Sequence, residues 1–464
     1  MKRLLSILVL LFFNTLIFAQ ISFSSPEEAA NYALINSPQF NYSRLNTEIA
    51  MKISKNAITD FLPNLSFSFS ENKNLNYNAS DSNSNSFSIS LNQFVFDGGK
   101  KWLAYEMGKA NSFYDYRTYL QSEREFRSQI IAQYFECITQ QEMVQIKKDV
   151  LDLANNHLNI LKTEFDLGMA LENDYLEYLI KVKKLQNEYD QNVRQYNTLM
   201  RKFKVALNLE PEVELELKND NQNNETPKYY LEEHIAYLWE RFKSVSPDIQ
   251  KLDMSLYYAK KQYQYSKKQY IPEISFSGTV SFSGDTYPLT QPTYSFKINF
   301  AFSNFPLLPT QLSTGTGLNN TLKVNSFKDE ISTSISPQIN YINSLKQNEI
   351  AIKEKKQERK TTIQNYYENL FNTIAQHDDY TDSITIFKET IAIQERRLEI
   401  SLEQVNSGTL KRLDYLNELI ELSTQKIQLV EAQNNLLLST RSIEIMLNIP
   451  FGGLQDVYEK ELTL

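Results

Sequence analysis

The chain has 464 residues, a formal net charge of −8 and a hydrophobic fraction of 41%, with 28 Tyr and 27 Phe. That is enough apolar material for a large core but too little for a bundle of membrane helices. The acidic balance, with no compact Lys/Arg stripe, argues against nucleic-acid binding. The single cysteine, Cys137, excludes an intramolecular disulfide, and its place on one helical face with Ile130 and Tyr134 reads as a small buried apolar residue.

The N-terminus has the pattern of a secretory signal. Lys2 and Arg3 precede an almost unbroken apolar run from Leu4 to Phe18, followed by Ala19. Residues 1–19 are therefore expected to be removed, which takes the net charge from −8 to −10. No later segment approaches the ~18 consecutive apolar residues of a membrane helix, so any crossing of a membrane must be made by strands.

Residues 39–60 predict a helix bounded by Pro38 and Pro63. Residues 64–70 then alternate, Leu65, Phe67 and Phe69 against Ser66, Ser68 and Ser70. A polar stretch over 71–85 separates them from a second alternating run over 86–96, Phe87, Ile89 and Leu91 against Ser88, Ser90 and Asn92. This predicts a hairpin, 64–96, with one apolar face and one small polar face. After the turn Phe94-Val95-Phe96-Asp97-Gly98-Gly99, residues 100–167 predict one helix on the order of 100 Å long, too long for a compact globular domain. Beyond Gly168 a second helix reaches 208, with a seam at Tyr178, Val182, Leu185, Tyr189, Val193, Tyr196, Met200 and Phe203. The polar run from Lys218 to Pro227 reads as a solvated connector.

The rest of the chain repeats this order. Asn36-Ser37-Pro38 is answered by Val245-Ser246-Pro247, and Phe61-Leu62-Pro63 by Tyr270-Ile271-Pro272, both at an offset of 209. Gly168 with Asp174-Tyr175-Leu176 is answered by Gly408 with Asp414-Tyr415-Leu416, and Leu207-Asn208 by Leu447-Asn448, at an offset of 240. The second half therefore predicts helix 247–270, hairpin 273–303, and helices 338–406 and 410–447. Leu413, Leu416, Ile420, Ile427, Val430 and Leu437 form a heptad seam in the last of these. The change of 31 residues between offsets marks one net insertion, placed at 304–335, which either thickens a belt or extends a sheet. The resulting organisation is a signal peptide (1–19), a first repeat (20–208), a linker (209–228), a second repeat (229–449) and a tail (450–464).

Four strands cannot close a barrel alone, because open edges in lipid leave backbone groups unpaired. Copies must pool strands, two giving eight and three giving twelve, and spacing does not choose between these numbers. Two glycines, Gly168 and Gly408, lie where long helices reverse and supply the positive φ that ends a helix. Asp174 and Asp414 follow in the next helix's first turn, where the helix dipole favours an acid.

On the proline-led strands, the Phe94-to-Gly99 turn and the Gly-x5-Asp-x-Leu repeats, the sequence resembles the TolC family over about residues 24–449. The resemblance implies a mainly α protein with membrane β-structure: a trimeric α-helical barrel joined to a 12-stranded outer-membrane β-barrel, four strands per chain. It implies an exit duct of a tripartite efflux pump or type I secretion system. The partners it implies are two further copies, outer-membrane lipid, a periplasmic adaptor (membrane fusion) protein and an inner-membrane transporter. It implies no catalysis, cofactor, metal or nucleic acid. It makes Leu167, Gly168, Met169, Ser407, Gly408 and Thr409 the tips that meet the adaptor. It also places Asp414 at the closed entrance, with Asn417 where the family has a second acid, and makes Asp174 a further gate candidate. The family's gate arginine falls at Leu410, which cannot pair with Asp174, leaving Lys411 and Arg412 as substitutes.

No catalytic constellation competes with this reading. His157, His234 and His377 are scattered, Gly315-Thr316-Gly317 lacks a phosphate-loop lysine, and there is no Gly-x-Ser-x-Gly. Two rivals stand: a soluble periplasmic coiled-coil scaffold, opposed by the aromatic/serine strands, and an exported helical enzyme.

Overall fold

A computed structural model describes residues 21–75, 77, 82–218, 229–268, 270–303, 308–334 and 339–462. The signal segment and the connector from 219 to 228 lie outside the described residues. In chain order the first elements are β1 (Ile21–Phe23), α1 (Pro26–Asn36), α2 (Pro38–Asn56), β2 (Asn64–Asn74), β3 (Ser82–Phe96), α3 (Lys100–Asp166), α4 (Glu172–Ala206) and β4 (Leu215–Leu217). They are followed by α5 (Ile235–Val245), α6 (Pro247–Lys267), β5 (Glu273–Gly284), β6 (Pro292–Phe302), β7 (Thr310–Leu318), β8 (Val324–Thr333), α7 (Ile339–Asn406), α8 (Arg412–Met446) and α9 (Leu454–Val457). The chain forms two compact units, one of Leu45–Thr118 and Pro247–Ile363, the other of Met1–Arg44, Tyr119–Ser246 and Gln364–Leu464. Each unit draws on both halves of the sequence. Among the described residues no helix is long and apolar enough to cross a membrane.

The first unit carries a six-stranded antiparallel sheet in the order β2-β3-β5-β6-β7-β8. Register keeps like residues together. On one face Phe67 opposes Ile89 and Val280 follows it; Phe69, Phe87 and Phe282 form a parallel row. On the other face hydroxyls meet, Ser68 with Ser88 at 2.7 Å, Ser70 with Ser86 at 2.9 Å and Ser90 with Thr279 at 3.0 Å. Alternation with period two has sorted the sheet into an aromatic side and a hydroxyl side. At the foot of β3, Gly98 adopts φ +73° and Asp97 accepts bonds from the amides of Gly99 (2.9 Å) and Lys101 (2.8 Å), which starts α3.

The four-strand expectation is corrected here. β7 and β8 fall inside the predicted insertion and extend the sheet, which decides between the two roles left open for that segment. They escaped the pattern because β7 has only Leu312 and Leu318 as large apolar residues among Thr, Ser, Gln and Gly. Their strand conformation is set by ladder bonds to β6, not by their own alternation. The same cause lengthens β2 to Asn74 and starts β3 at Ser82, so part of the polar 71–85 stretch is strand. The predicted helix 39–60 stops at Asn56 and tightens into a 3-10 turn over Ala57–Phe61.

The second unit is built around α3. Ile130, Ile131, Tyr134 and Cys137 share one face and bury against Ala29, Ala30 and Ala33 of α1 and Phe203 and Leu207 of α4. Burial raises the Cys137 thiol pKa to about 12, so it stays protonated and unreactive. The short strands β1 and β4 pair in parallel beside this cluster, and the Tyr134 hydroxyl donates to the Lys218 carbonyl at 2.6 Å. Farther along α3, Val150, Leu151 and Ala154 pack with Tyr178, Val182 and Leu185 of α4 and Leu416 and Leu419 of α8. Each fully buried Leu of this kind stabilises the fold by about 1.5–3 kcal/mol. The α8 seam is broader than the heptad predicts. Leu416 is buried, but so are Leu419, Leu422 and Leu436, because α8 also packs Ala432 and Leu436 against Ile384 of α7.

Two buried acids anchor chain segments to these helices. Glu444 of α8 accepts from the Leu454 amide (3.2 Å) and pairs with Arg441, which lies over the Phe451 ring, so the start of the tail is tied down. Asp378 of α7 accepts from the amides of Leu231 (3.0 Å) and Glu232 (2.9 Å) and bonds His377 Nδ1 (2.9 Å), against which Tyr229 stacks. It thus caps from another helix the turn that leads into α5. Burial alone raises the Asp378 pKa, but the bonds from His377, Glu232 and Leu231 outweigh it and hold the carboxyl below the usual aspartate range. Folding therefore favours the ionised form. Its contribution is complete above the ordinary aspartate pKa and is lost as pH falls through the lowered value. Asp378→Ala is expected to cost about 1–2 kcal/mol at neutral pH. Urea unfolding of wild type and variant, followed by helical circular dichroism, should show this gap narrowing on acidification; a gap independent of pH would contradict the assignment.

Candidate functional site

Both predicted helix reversals are present and built alike. At the end of α3 the Gly168 amide donates to the Phe165 carbonyl (2.9 Å) and the Met169 amide to Glu164 (2.7 Å), with Gly168 at φ +72°. At the end of α7 the Gly408 amide donates to Val405 (3.1 Å) and Thr409 to Gln404 (2.9 Å), with Gly408 at φ +77°. This paired bonding satisfies the last carbonyls of a helix and needs a left-handed residue, which glycine supplies without a Cβ penalty. Leu167 and Met169 stand exposed, at 69% and 77%, so the tip presents apolar side chains to its surroundings. Ser407 and Thr409 make a hydroxyl pair at 3.0 Å on the other turn.

The charged residues behind the tips pair across the two turns. Lys411 Nζ lies 3.3 Å from Asp174, and the Lys181 ammonium bonds the Asn417 side chain. Arg412 reaches Glu164 with Nη2 at 2.7 Å and Nε at 3.3 Å, and its Nη1 lies 3.4 Å from His157 Nδ1. His157 in turn packs on the Tyr415 ring, centroids 5.0 Å apart. Asp174 is therefore paired with a cation of its own chain. Asp414 is exposed, and among the described residues no cation of the same chain pairs with it.

Both candidate substitutes for the missing arginine are engaged, Lys411 by Asp174 and Arg412 by Glu164. The Glu164–Arg412–His157 cluster was not picked out from the sequence, although a signal was available. At the repeat offset of 240, Glu164 faces Gln404 and Glu172 faces Arg412. The two halves differ in charge where this bridge forms. The Arg412 hydrogen bond holds the Glu164 carboxyl below its usual range, against the effect of burial. Burial, and then the Arg412 charge, lower the His157 pKa.

No family model matches the sequence, and no curated protein sequence matches it. Solved structures do match. The chain is similar to the Campylobacter jejuni CmeC outer membrane channel, at 12% identity and a TM-score of 0.71 over 94% of this chain and 88% of that one. It is similar to the outer membrane protein VceC of Vibrio cholerae, at 12% identity and a TM-score of 0.72 over 92% and 96% of the two chains. A third similar structure is the open state of the Neisseria gonorrhoeae MtrE outer membrane channel, at 12% identity and a TM-score of 0.69 over 92% and 89%. The chain has the fold of these channels, a mainly helical protein with a strand region, as its TolC-like motifs lead one to expect.

Arg412→Gln removes a cation beside His157 and leaves its burial in place. The His157 pKa is expected to rise in this variant, measured by hydrogen exchange at the imidazole carbon. An unchanged value would mean that the Arg412 charge does not act on the ring.

Proposed function

We propose that this protein is a TolC-family outer-membrane channel subunit, exported by its N-terminal signal. In this reading it assembles as a homotrimer and forms the exit duct of a tripartite efflux pump or type I secretion system. The observation that carries the proposal is the sheet: an aromatic face, a hydroxyl face and two open edges. Lipid on one side, water on the other and strands from further copies at the edges would satisfy all three. The fold shared with CmeC, VceC and MtrE supports the same reading.

Assembly has support on the helices as well. Ile386, Ile393 and Ile400 of α7, spaced by seven, are all exposed in the single chain. Such a stripe is what a neighbouring helix would cover in a helical barrel. The organisation proposed is signal 1–19, repeats 20–208 and 229–449 joined by linker 209–228, and tail 450–464. Periplasmic location of the helices puts the tips, Leu167 to Met169 and Ser407 to Thr409, where a periplasmic adaptor engages the duct, upstream of it an inner-membrane transporter.

Among the described residues Asp414 has no cation partner in its own chain, and three copies around an axis would set three carboxylates at the entrance. A ring of this sign attracts cations and repels anions. Asn417 and the paired Asp174 add no free charge to it. The test is planar-bilayer recording of the purified oligomer. Wild type is expected to form cation-preferring channels, and Asp414→Ala to weaken cation preference and cation block. Absence of channels would overturn the duct; channels with unaltered preference in the variant would remove Asp414 from the pore.

At the tips, Gly168→Val and Gly408→Val force a β-branched residue to positive φ, at a cost of about 1–2 kcal/mol per site. Site-specific crosslinking to the adaptor is expected to fall in both variants while oligomer yield holds. Undiminished crosslinking would place the adaptor elsewhere.

A further inference from the structure

The inserted hairpin lengthens the sheet from four strands to six, and this alters the barrel that copies of the chain can close. We propose that β8, not β6, is the closing strand: β8 of one copy pairs antiparallel with β2 of the next, so that a trimer encloses an eighteen-stranded barrel. The proposal rests on the channel reading above and commits its open edges to one occupant, a second copy of this chain.

Four observations carry it. First, β7 and β8 are long enough to be wall strands, with nine and ten residues, against the roughly 9–11 that a tilted membrane strand needs. Second, they keep the sorting of the sheet. Leu312, Leu318, Val324, Phe327 and Ile331 continue the aromatic side, since Phe300 pairs with Leu312 and Leu312 with Ile331. Ser313, Gly315, Gly317, Lys328, Glu330 and Ser332 continue the hydroxyl side. A hairpin lying in water has no reason to carry Phe327 and Ile331 at 77% and 73% exposure. One acid, Asp329, interrupts the apolar side, and acids there cost less than the ~2–4 kcal/mol of a lysine or arginine at mid-membrane.

Third, the edges are complementary in direction. β2 leaves the helices and β8 returns to them, so placed side by side they run antiparallel, as every other neighbour pair in the sheet does. Fourth, the sheet already carries a barrel's stagger. Hydrogen-bonded partners lead from Asn64, at the foot of β2, through Asn92, Ser277, Lys297 and Gly315 to Lys328. That is five residues above Thr333, the last paired residue of β8. At ~3.3 Å per residue and ~4.8 Å between strands the slope is roughly 35°, within the tilt of about 35–45° at which barrels close. Diameter grows about linearly with strand number, so at equal tilt the exit is about half as wide again as a twelve-stranded one.

The test is disulfide trapping in the full-length protein in cell membranes. Ser332→Cys in β8 is combined in turn with Asn64→Cys, Ser66→Cys and Ser68→Cys in β2, all on the polar side. A comparison series pairs Asn299→Cys in β6 with the same three partners. Oxidation is expected to give disulfide-linked oligomers in the β8 series and none in the β6 series. Linkage through Asn299→Cys would overturn the proposal, because the barrel would then close on β6 with the hairpin outside the wall. Linkage in neither series, in protein that sediments with the outer membrane, would also overturn it. Soluble protein with neither linkage would overturn the channel reading itself, a failure of a different kind.

Discussion

An amide or carbonyl at a sheet edge must find a partner, and in lipid no water is available to serve. The sheet of this protein has two such edges, β2 and β8, and a face of Leu, Ile and Phe that water does not favour. Hydroxyl rows on the other face make that side compatible with water. A sheet so divided is stable where one side is apolar, the other wet and both edges are met by strands. In the proposed channel, further copies of the chain would meet these edges, a requirement set by the backbone before any helix is considered.

The helical unit meets a different requirement. Its long helices bury residues toward each other in clusters along α3, α4, α7 and α8. Polar anchors fix the irregular segments, Asp378 for the start of α5 and Glu444 for the tail. The duplication is visible in paired details: Asn208 and Asn448 both close their helices at φ 56°, as Gly168 and Gly408 do at the tips. Identity of backbone coexists with divergence of charge. Where one tip has Glu164 the other has Gln404, and where one helix starts with Glu172 the other starts with Arg412. The bridge between Arg412 and Glu164 exists because the two halves no longer match there. A duplicated frame has thus acquired an asymmetric lock behind its tips.

Much of this was legible in the chain. Repeats at two fixed offsets located the paired helices, and Ser/Phe alternation located four strands and assigned their faces. Glycine spacing located both helix reversals. What stayed hidden shares one physical cause, dependence on a partner distant in sequence. β7 is rich in Thr and Gly and becomes a strand because β6 offers it a ladder. Asp378 looks like any surface acid on a helix until the Leu231 and Glu232 amides are brought to it. Lys411 and Arg412 were recognisable as candidates, but which acid each would meet depended on how the two tips pack. The α8 seam was underestimated because a heptad describes one partner and α8 has two.

The central claim is that the sheet lies in the outer membrane. Density-gradient separation of inner and outer membranes, followed by alkaline carbonate washing, tests it most directly. The account predicts that the mature protein bands with the outer membrane and stays in the washed pellet as an oligomer. Recovery in the soluble periplasmic fraction would contradict it and leave a helical periplasmic scaffold as the description of this chain.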